Sequence, residues 1–172
     1  MSDIGEEGIG MRIGVISDMH MFRRAKQLPQ ALLEGLHGVD LILHAGDWVD
    51  PGVVRLFEAI APTDGVAGNN DGADIIERFG RQKVLNLSGW RIGLVHGDGG
   101  RKSTLEQAID AFRDMRVDVI LFGHSHIPYQ GMHDGTLLLN PGSPTDKRRQ
   151  PQYSYGIMEL GSTIQATLYY YD

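Results

Sequence analysis

Side chains that can bind metal ions recur in this sequence just after segments that have the pattern of buried strands. They comprise two aspartates, an asparagine and four histidines: Asp18, His20, Asp47, Asn69, His96, His124 and His126. The sequence has no cysteine, so any metal would be held by oxygen and imidazole alone. Carboxylate and amide oxygens suit hard cations and imidazole suits transition metals, which favours two ions such as Mn²⁺, Fe or Zn²⁺.

Two cations that share a site need an anion between them. Paired metals about 3.5–4 Å apart repel each other strongly, and one carboxylate with two oxygens can bridge them. We assign that role to Asp47. A water shared by the metals would have a lowered pKa and could attack a phosphoester without a protein nucleophile. Gly46, Gly68 and Gly97 should allow close approach of the backbone around these ligands.

The elements that must position the ligands alternate between strand and helix in the first half of the chain. Apolar runs indicate strands, and Asp50 before Pro51 and Ser103 before Glu106 are typical of helix starts. Ligands that follow successive strands would meet at the carboxyl ends of an α/β sheet. The predicted elements are strands at 11–17, 40–45, 65–67, 83–87, 91–96 and 117–122, and helices at 24–37, 50–60, 73–79 and from 103 onward.

After residue 122 the pattern changes to paired strands. Residues 129–133 and 136–140 flank Asp134 and Gly135, a dipeptide typical of tight hairpin turns, and two more strands are predicted at 153–160 and 163–171. The chain therefore combines β-α units with antiparallel hairpins.

Composition limits the function classes. A chain of 172 residues with 41% hydrophobic residues fits one domain, at residues 11–172, and it contains no apolar run of membrane-spanning length. The net charge of −6 argues against a nucleic-acid surface. Residues 1–10 lack the features of a signal peptide and are expected to form a mobile tail, so we expect a cytoplasmic protein.

Short motifs in a fixed order resemble those of the calcineurin-like metallophosphoesterases. They are DMH (residues 18–20), GD (46–47), GNND (68–71), HGD (96–98) and GHSH (123–126), followed by NPGS (140–143). The resemblance extends from residue 11 to about residue 143. It is strongest to the small single-domain bacterial and archaeal phosphodiesterases of that superfamily.

The resemblance implies a four-layer αββα sandwich, in which two mixed β-sheets are flanked by helices. It also implies two divalent ions, with manganese as our choice and iron, nickel or zinc as alternatives. One metal set is Asp18, His20, Asp47 and His126, and the other is Asp47, Asn69, His96 and His124. The residues assigned to catalysis are Asp47, Asn69, Asn70, Asp71 and His96.

Two positions depart from the family pattern. Many relatives have a histidine at Asn70 and use it, with the following aspartate, as a general acid or phosphate contact. Asn70 cannot act as an acid but can hydrogen-bond a phosphoryl oxygen. Many relatives also have a second histidine at Asp98, where the carboxylate could orient a ligand histidine or face solvent.

Other polar residues have a structural interpretation beside a functional one. His44 lies in a predicted buried strand and is expected to be a satisfied core histidine. Residues 147–149, with three cations, favour a solvated loop over a contact with substrate phosphate. The NPGS motif is typical of a turn, although Asn140 and Ser143 could offer polar contacts if it borders the site.

The predicted function is a metal-dependent phosphodiesterase or phosphatase that hydrolyses small phosphoesters. One alternative is a nucleotide or protein phosphatase. Another is a non-catalytic scaffold like the retromer subunit that shares this fold and has lost part of the ligand set. The aromatic residues 169–171 could support a homodimer.

Overall fold

The computed structural model describes residues 10–21 and 27–172. These residues form ten strands and four helices. In chain order the elements are β1 (Met11–Ile16), α1 (Gln30–Leu36), β2 (Leu41–His44), α2 (Pro51–Glu58), β3 (Thr63–Gly65), α3 (Ala73–Phe79), β4 (Gln82–Leu87), β5 (Trp90–Val95), α4 (Thr104–Ala111), β6 (Val119–Leu121), β7 (Tyr129–His133), β8 (Thr136–Asn140), β9 (Tyr153–Leu160) and β10 (Ile164–Tyr171).

The strands form two mixed five-stranded sheets. The first has the order β10-β9-β1-β2-β3 and the second has the order β4-β5-β6-β8-β7. The strands that precede the ligands pair in parallel, β1 with β2 and β2 with β3 in one sheet and β5 with β6 in the other. Their carboxyl ends therefore lie on the same side of the molecule, as predicted for an α/β fold.

Three apolar clusters define four layers. The central cluster fills the space between the sheets and includes Val15, Leu94 and Leu121, all fully buried. Residues of α1, α2 and α3 pack on the outer face of the first sheet, and α4 packs on the outer face of the second. The expected αββα sandwich is confirmed, and it holds the ligand-bearing strands rigidly because both faces of each sheet are covered.

Local sequence signals place several elements correctly. The side chain of Asp50 accepts a hydrogen bond from the Gly52 amide and begins α2, and Ser103 accepts one from the Glu106 amide and begins α4. The hairpin turns at Ser88-Gly89 and Asp134-Gly135 have positive φ at both residues, as a two-residue turn of this kind requires.

Three boundaries were predicted wrongly. Residues 24–26 of the helix predicted at 24–37 lie outside the described residues, and so do residues 1–9 of the predicted tail. Helix α1 begins only at Gln30. Pro29 is its N-cap, and the residue before a proline disfavours helical backbone. The third strand spans Thr63–Gly65 rather than 65–67, because the Ala67 amide bonds to Gly80 and the chain leaves the sheet there. Helix α2 ends at Glu58, two residues early.

None of the helices in the described part of the chain has the length and apolar character needed to cross a bilayer.

Candidate metal centre

The predicted ligands lie in loops at the carboxyl ends of the strands, where the two sheets meet. The loops are hydrogen-bonded to one another: the Asp18 amide donates to the Gly46 carbonyl at 2.9 Å, and the Gly123 amide donates to the His96 carbonyl at 3.0 Å. The His124 amide donates to Asp18 Oδ2 at 2.8 Å. Backbone contacts between loops thus bring side chains together from positions up to about a hundred residues apart.

Two aspartate oxygens lie between histidine nitrogens at the centre of this region. Asp47 Oδ2 is 3.4 Å from His20 Nε2 and 3.4 Å from His96 Nε2. Asp18 Oδ1 is 3.6 Å from His96 Nε2 and 3.6 Å from His126 Nε2. The structure therefore contains two groups that could each hold a metal ion, Asp18 with His20 and His126, and Asp18 with Asp47 and His96.

The remaining predicted ligands lie at the exposed rim of the same region. His124 Nδ1 is 3.1 Å from Asn69 Oδ1, and the rings of His124 and His96 contact edge to face with centroids 5.2 Å apart. All seven predicted ligands are thus brought into one site, with Asn69 and His124 at its rim.

Four polar atoms of the site are buried without a hydrogen-bond partner among the described residues: Asp18 Oδ1, His20 Nε2, His96 Nε2 and His126 Nε2. Asp18 Oδ2, in contrast, accepts hydrogen bonds from the Ser17 hydroxyl and the His124 amide, so only Oδ1 remains available. Leaving buried polar atoms unsatisfied is unfavourable. Carboxylate oxygen and imidazole nitrogen are donors that divalent transition metals take, so the residues present fit such ions.

Backbone carbonyls orient two of the imidazoles. His96 Nδ1 lies 2.8 Å from the Ala45 carbonyl, and His126 Nδ1 lies 2.5 Å from the Asp146 carbonyl. Since a carbonyl can only accept, each Nδ1 carries a hydrogen, and in the neutral ring each Nε2 has its lone pair toward the site. This is the arrangement in which an outer partner fixes the tautomer of a metal-binding histidine.

The backbone of the site is strained. Positive φ angles, uncommon for residues other than glycine, occur at five predicted ligands: Asp18, His20, Asp47, His124 and His126. Val49, two residues after Asp47, also has a φ of 72°, which is a true outlier for a β-branched residue. Residues in such conformations persist only where surrounding contacts hold them, and they cluster at functional sites.

Asp71 supplies such contacts. Its buried carboxylate accepts hydrogen bonds from the amides of Asp47, Gly68 and Val49, at 2.8, 2.7 and 2.7 Å. Burial raises the pKa of Asp71, although the same amides partly offset that effect. The Asp71 side chain therefore joins the loop that carries Asp47 to the loop that carries Asn69.

Asn70 contacts Asp47 twice. Its backbone amide donates to Asp47 Oδ1 at 2.9 Å, and its side-chain amide donates to Asp47 Oδ2 at 2.8 Å. Gly68 also lies against Asp47, since a Cβ at this position would be 2.2 Å from Asp47 Oδ1. The predicted close approach is confirmed for Gly68 and for Gly46, where a Cβ would be 2.6 Å from His96 Nδ1.

Charges at the centre shift pKa values in opposite directions. Burial by itself raises the pKa of Asp47, but His20 and His96 lower it well below its usual range. Burial lowers the pKa of His96, but Asp47 and Asp18 raise it to about 9. Without a metal the site therefore favours a proton on His96, in the place where a cation would bind.

His44 is a core residue, as predicted. It is fully buried, stacks on Trp48 with ring centroids 3.9 Å apart, and accepts the Gly46 amide at Nδ1. Its Nε2 has no hydrogen-bond partner among the described residues, so the expectation of a satisfied histidine holds for one ring nitrogen only.

Residues outside the predicted ligand set also support the site. Ser17 and Ser143 hydrogen-bond to Asp18, and the Asp146 carbonyl contacts His126. The NPGS motif was open to this interpretation from sequence, but a backbone carbonyl such as that of Asp146 has no side-chain signal to reveal it. Asp98 lies half-buried, and its charge partly offsets the lowering of the His124 pKa by burial.

Comparisons with known proteins identify similar sequences and structures. Residues 11–163 match the family described as the calcineurin-like phosphoesterase superfamily domain. A probable metallophosphoesterase of Methanothermobacter thermautotrophicus is 38% identical over 138 residues, which cover 80% of each chain. Phosphodiesterase MJ0936 of Methanocaldococcus jannaschii is 28% identical over 151 residues, which cover 77% of this chain and 83% of that one.

Among solved structures, a single mutant of Vps29 from Entamoeba histolytica has the same fold. The TM-score is 0.73 at 22% sequence identity, and the match covers 94% of this chain and 100% of the Vps29 chain.

Proposed function

The chain belongs to the calcineurin-like phosphoesterase superfamily, and from this we propose that it hydrolyses small phosphoesters, with a preference for diesters, by means of two divalent metal ions. The observation that carries the proposal is the presence of four buried, unpartnered donor atoms in the two candidate metal groups. Such atoms are unfavourable in a folded protein unless a hydrogen-bond partner or a cation satisfies them.

Each metal position would be held by a separate set of side chains. We propose that both ions are Mn²⁺ in the cell, and we assign Asp18, His20, Asp47 and His126 to one of them. We assign Asp47, Asn69, His96 and His124 to the other. When bound, the two ions would lower the pKa of a shared water molecule and neutralise charge on the phosphoryl oxygens.

We assign the bridge between the two positions to Asp47. Its Oδ2 is equidistant, at 3.4 Å, from one histidine of each set, His20 and His96. Asn70 holds the carboxylate in this orientation through two hydrogen bonds. A bridge fixed in advance would keep the distance between the metal positions constant during the reaction.

Asp71 has a positioning role in this proposal rather than a direct contact with substrate. Both of its oxygens accept backbone amides from the loops that carry Asp47 and Asn69. The carboxylate thereby stabilises the left-handed backbone at Asp47 and Val49, so that the bridge points into the site.

The nature of Asn70 bears on the substrate. Asn70 is exposed and its side-chain amide contacts Asp47, so it can hydrogen-bond a phosphoryl oxygen but cannot protonate a leaving group. We therefore infer substrates whose leaving group needs little protonation. The positive charge of exposed Arg148 acts on the buried ligand His126, and a cation close to the site suits an anionic phosphoester.

The decisive experiment pairs metal analysis with hydrolysis. We expect near two metal ions per chain, and cleavage of bis-p-nitrophenyl phosphate that exceeds cleavage of p-nitrophenyl phosphate, requires added Mn²⁺ and stops with chelator. Faster cleavage of the monoester would reverse the proposed preference. Bound metal without turnover of either compound would reject the hydrolase and favour a scaffold that binds protein partners.

A further inference from the structure

The segment of residues 140–146, between β8 and β9, is almost entirely buried although it has no regular secondary structure after Asn140. Asn140 and Ser143 are 0% and 1% exposed. A buried loop must satisfy its polar groups internally, so the partners of this segment indicate its role.

Ser143 is the centre of these contacts. Its hydroxyl donates to the Asp18 carbonyl at 2.8 Å and accepts the backbone amides of Asp146 at 2.8 Å and Thr145 at 3.3 Å. One hydroxyl thereby joins the loop that carries Asp18 to the turn that carries Asp146.

Two further contacts extend the connection to the neighbouring ligands. The Thr145 hydroxyl donates to the carbonyl of Met19, which precedes His20. The Asp146 carbonyl accepts from His126 Nδ1 at 2.5 Å and so fixes the orientation of that ring. Asp18, His20 and His126, which form one of the two candidate metal groups, are therefore all anchored on this segment.

Asn140 completes the connection at the other end. Its side-chain amide donates to the Gly123 carbonyl and to the Ser125 hydroxyl, both at 3.1 Å, on the loop that carries His124 and His126. Its side-chain oxygen accepts the Gly142 amide at 2.9 Å, which closes the turn.

The other metal group shares Asp18, but its remaining ligands have different anchors. Asp47 is positioned by Asp71, and His96 by the Ala45 carbonyl, and neither contact involves residues 140–146. We propose that the 140–146 segment supports the metal site of Asp18, His20 and His126 more strongly than the other site, with Ser143 as its principal positioning residue. The inference rests on the proposed dinuclear centre, and it assigns unequal support to its two halves.

Removal of the Ser143 hydroxyl would remove its hydrogen bonds to the Asp18 carbonyl and the Asp146 amide. The loop of Asp18 and the carbonyl that orients His126 would then both be less constrained. Loss of a group that hydrogen-bonds to a metal ligand typically weakens metal binding about 10- to 100-fold. We expect a loss of this size in Ser143→Ala, at one of the two sites.

The experiment is a calorimetric titration of metal-free protein with Mn²⁺ alone. The binding step that disappears in His126→Gln identifies the site held by the 140–146 segment. Ser143→Ala should weaken that step about 10- to 100-fold and the other step clearly less, because the other group shares only Asp18 with the ligands held by the segment. Asp71→Asn acts through Asp47, which is assigned to both sites, so it should not show this preference. Thr145→Val, which removes one donor without changing size, should show a smaller loss at the same step as Ser143→Ala, and it provides the test if Ser143→Ala does not fold.

Thr136→Val is the matched control. Thr136 lies at the opposite end of β8, and its half-buried hydroxyl donates to the Val117 carbonyl at 2.9 Å, so its removal costs a similar hydrogen bond away from the site. Both Mn²⁺ affinities should be unchanged in this variant. Folded Ser143→Ala or Thr145→Val protein with both affinities unchanged, or with both weakened equally, would overturn the proposal. Because the readout is affinity, this result is independent of whether the protein hydrolyses phosphoesters.

Discussion

Acidification should weaken metal binding through one particular proton, on His96. Burial alone lowers the pKa of this histidine, but contact with Asp47 at 3.4 Å and the charge of Asp18 at 3.6 Å raise it to about 9 in the metal-free protein. At pH 7 the metal-free site therefore has a proton on His96, and a metal ion must displace it.

The pKa fixes the size of the effect. Deprotonation of a group with a pKa of about 9 at pH 7 costs about 2.7 kcal/mol, which is about 100-fold in affinity. Mn²⁺ affinity at the His96 position should therefore rise about tenfold for each pH unit between 7 and 9 and level off above that range. Close to one proton should be released per ion bound there at pH 7.

Calorimetry of chelator-treated protein in two buffers with different heats of ionisation measures the proton release directly. Comparison of the wild-type protein with Asp47→Asn tests the cause of the raised His96 pKa. Loss of the Asp47 carboxylate should lower that pKa and reduce the number of protons released on Mn²⁺ binding at pH 8. If Mn²⁺ binds at both positions of the wild-type protein at pH 7 without proton release, the electrostatic account of this site is wrong.

The same pKa predicts how stability changes with pH when metal is absent. The pKa of His96 is raised in the folded state, so its contribution is fully present below about pH 6.5 and is lost as the pH rises through 9. The pKa values of His44, His124 and His126 are lowered by burial, so they reduce stability only below about pH 6.5. The melting temperature of metal-free protein should therefore fall on both sides of that pH, and added Mn²⁺ should remove the alkaline fall.

Three substitutions test the rest of the site. Asp47→Asn should abolish hydrolysis and lower metal content without loss of the circular dichroism of the fold, because only the bridging charge is removed; wild-type turnover would refute the bridging role. Asn70→His should raise the rate of hydrolysis of monoesters with poor leaving groups more than that of bis-p-nitrophenyl phosphate, because it introduces a proton donor. An equal change in the two rates would argue against an acid at this position. Asp71→Asn should lower the free energy of unfolding, measured in urea, by about 1–3 kcal/mol, because a charged acceptor of three backbone amides is lost. An unchanged free energy of unfolding would mean that these three hydrogen bonds make no net contribution to stability.

Features with a local cause could be predicted from the sequence. The Asp134-Gly135 hairpin, the caps at Asp50 and Ser103 and the helix at Ala73–Phe79 each depend on residues within a few positions of one another. The convergence of the ligands was also accessible, because it follows from the parallel order of the strands that precede them.

Features that depend on distant backbone could not be predicted. The third strand was displaced by two residues because the Ala67 amide bonds to Gly80, a contact that only the folded chain defines. The Asp146 carbonyl that orients His126 leaves no trace in side-chain pattern. The left-handed backbone of Val49 is opposite to the local preference of a β-branched residue, and the Val49 amide donates to Asp71, which is distant in sequence.

This strain also bears on whether the site binds cations. A left-handed backbone is unfavourable by about 1–2 kcal/mol per residue, and five predicted ligands adopt it together. A site that bound no cation would gain stability if these residues relaxed and the four unpartnered donor atoms were replaced by apolar groups. The strained and unsatisfied site is therefore best explained by cations that bind there, and their binding energy would offset its cost.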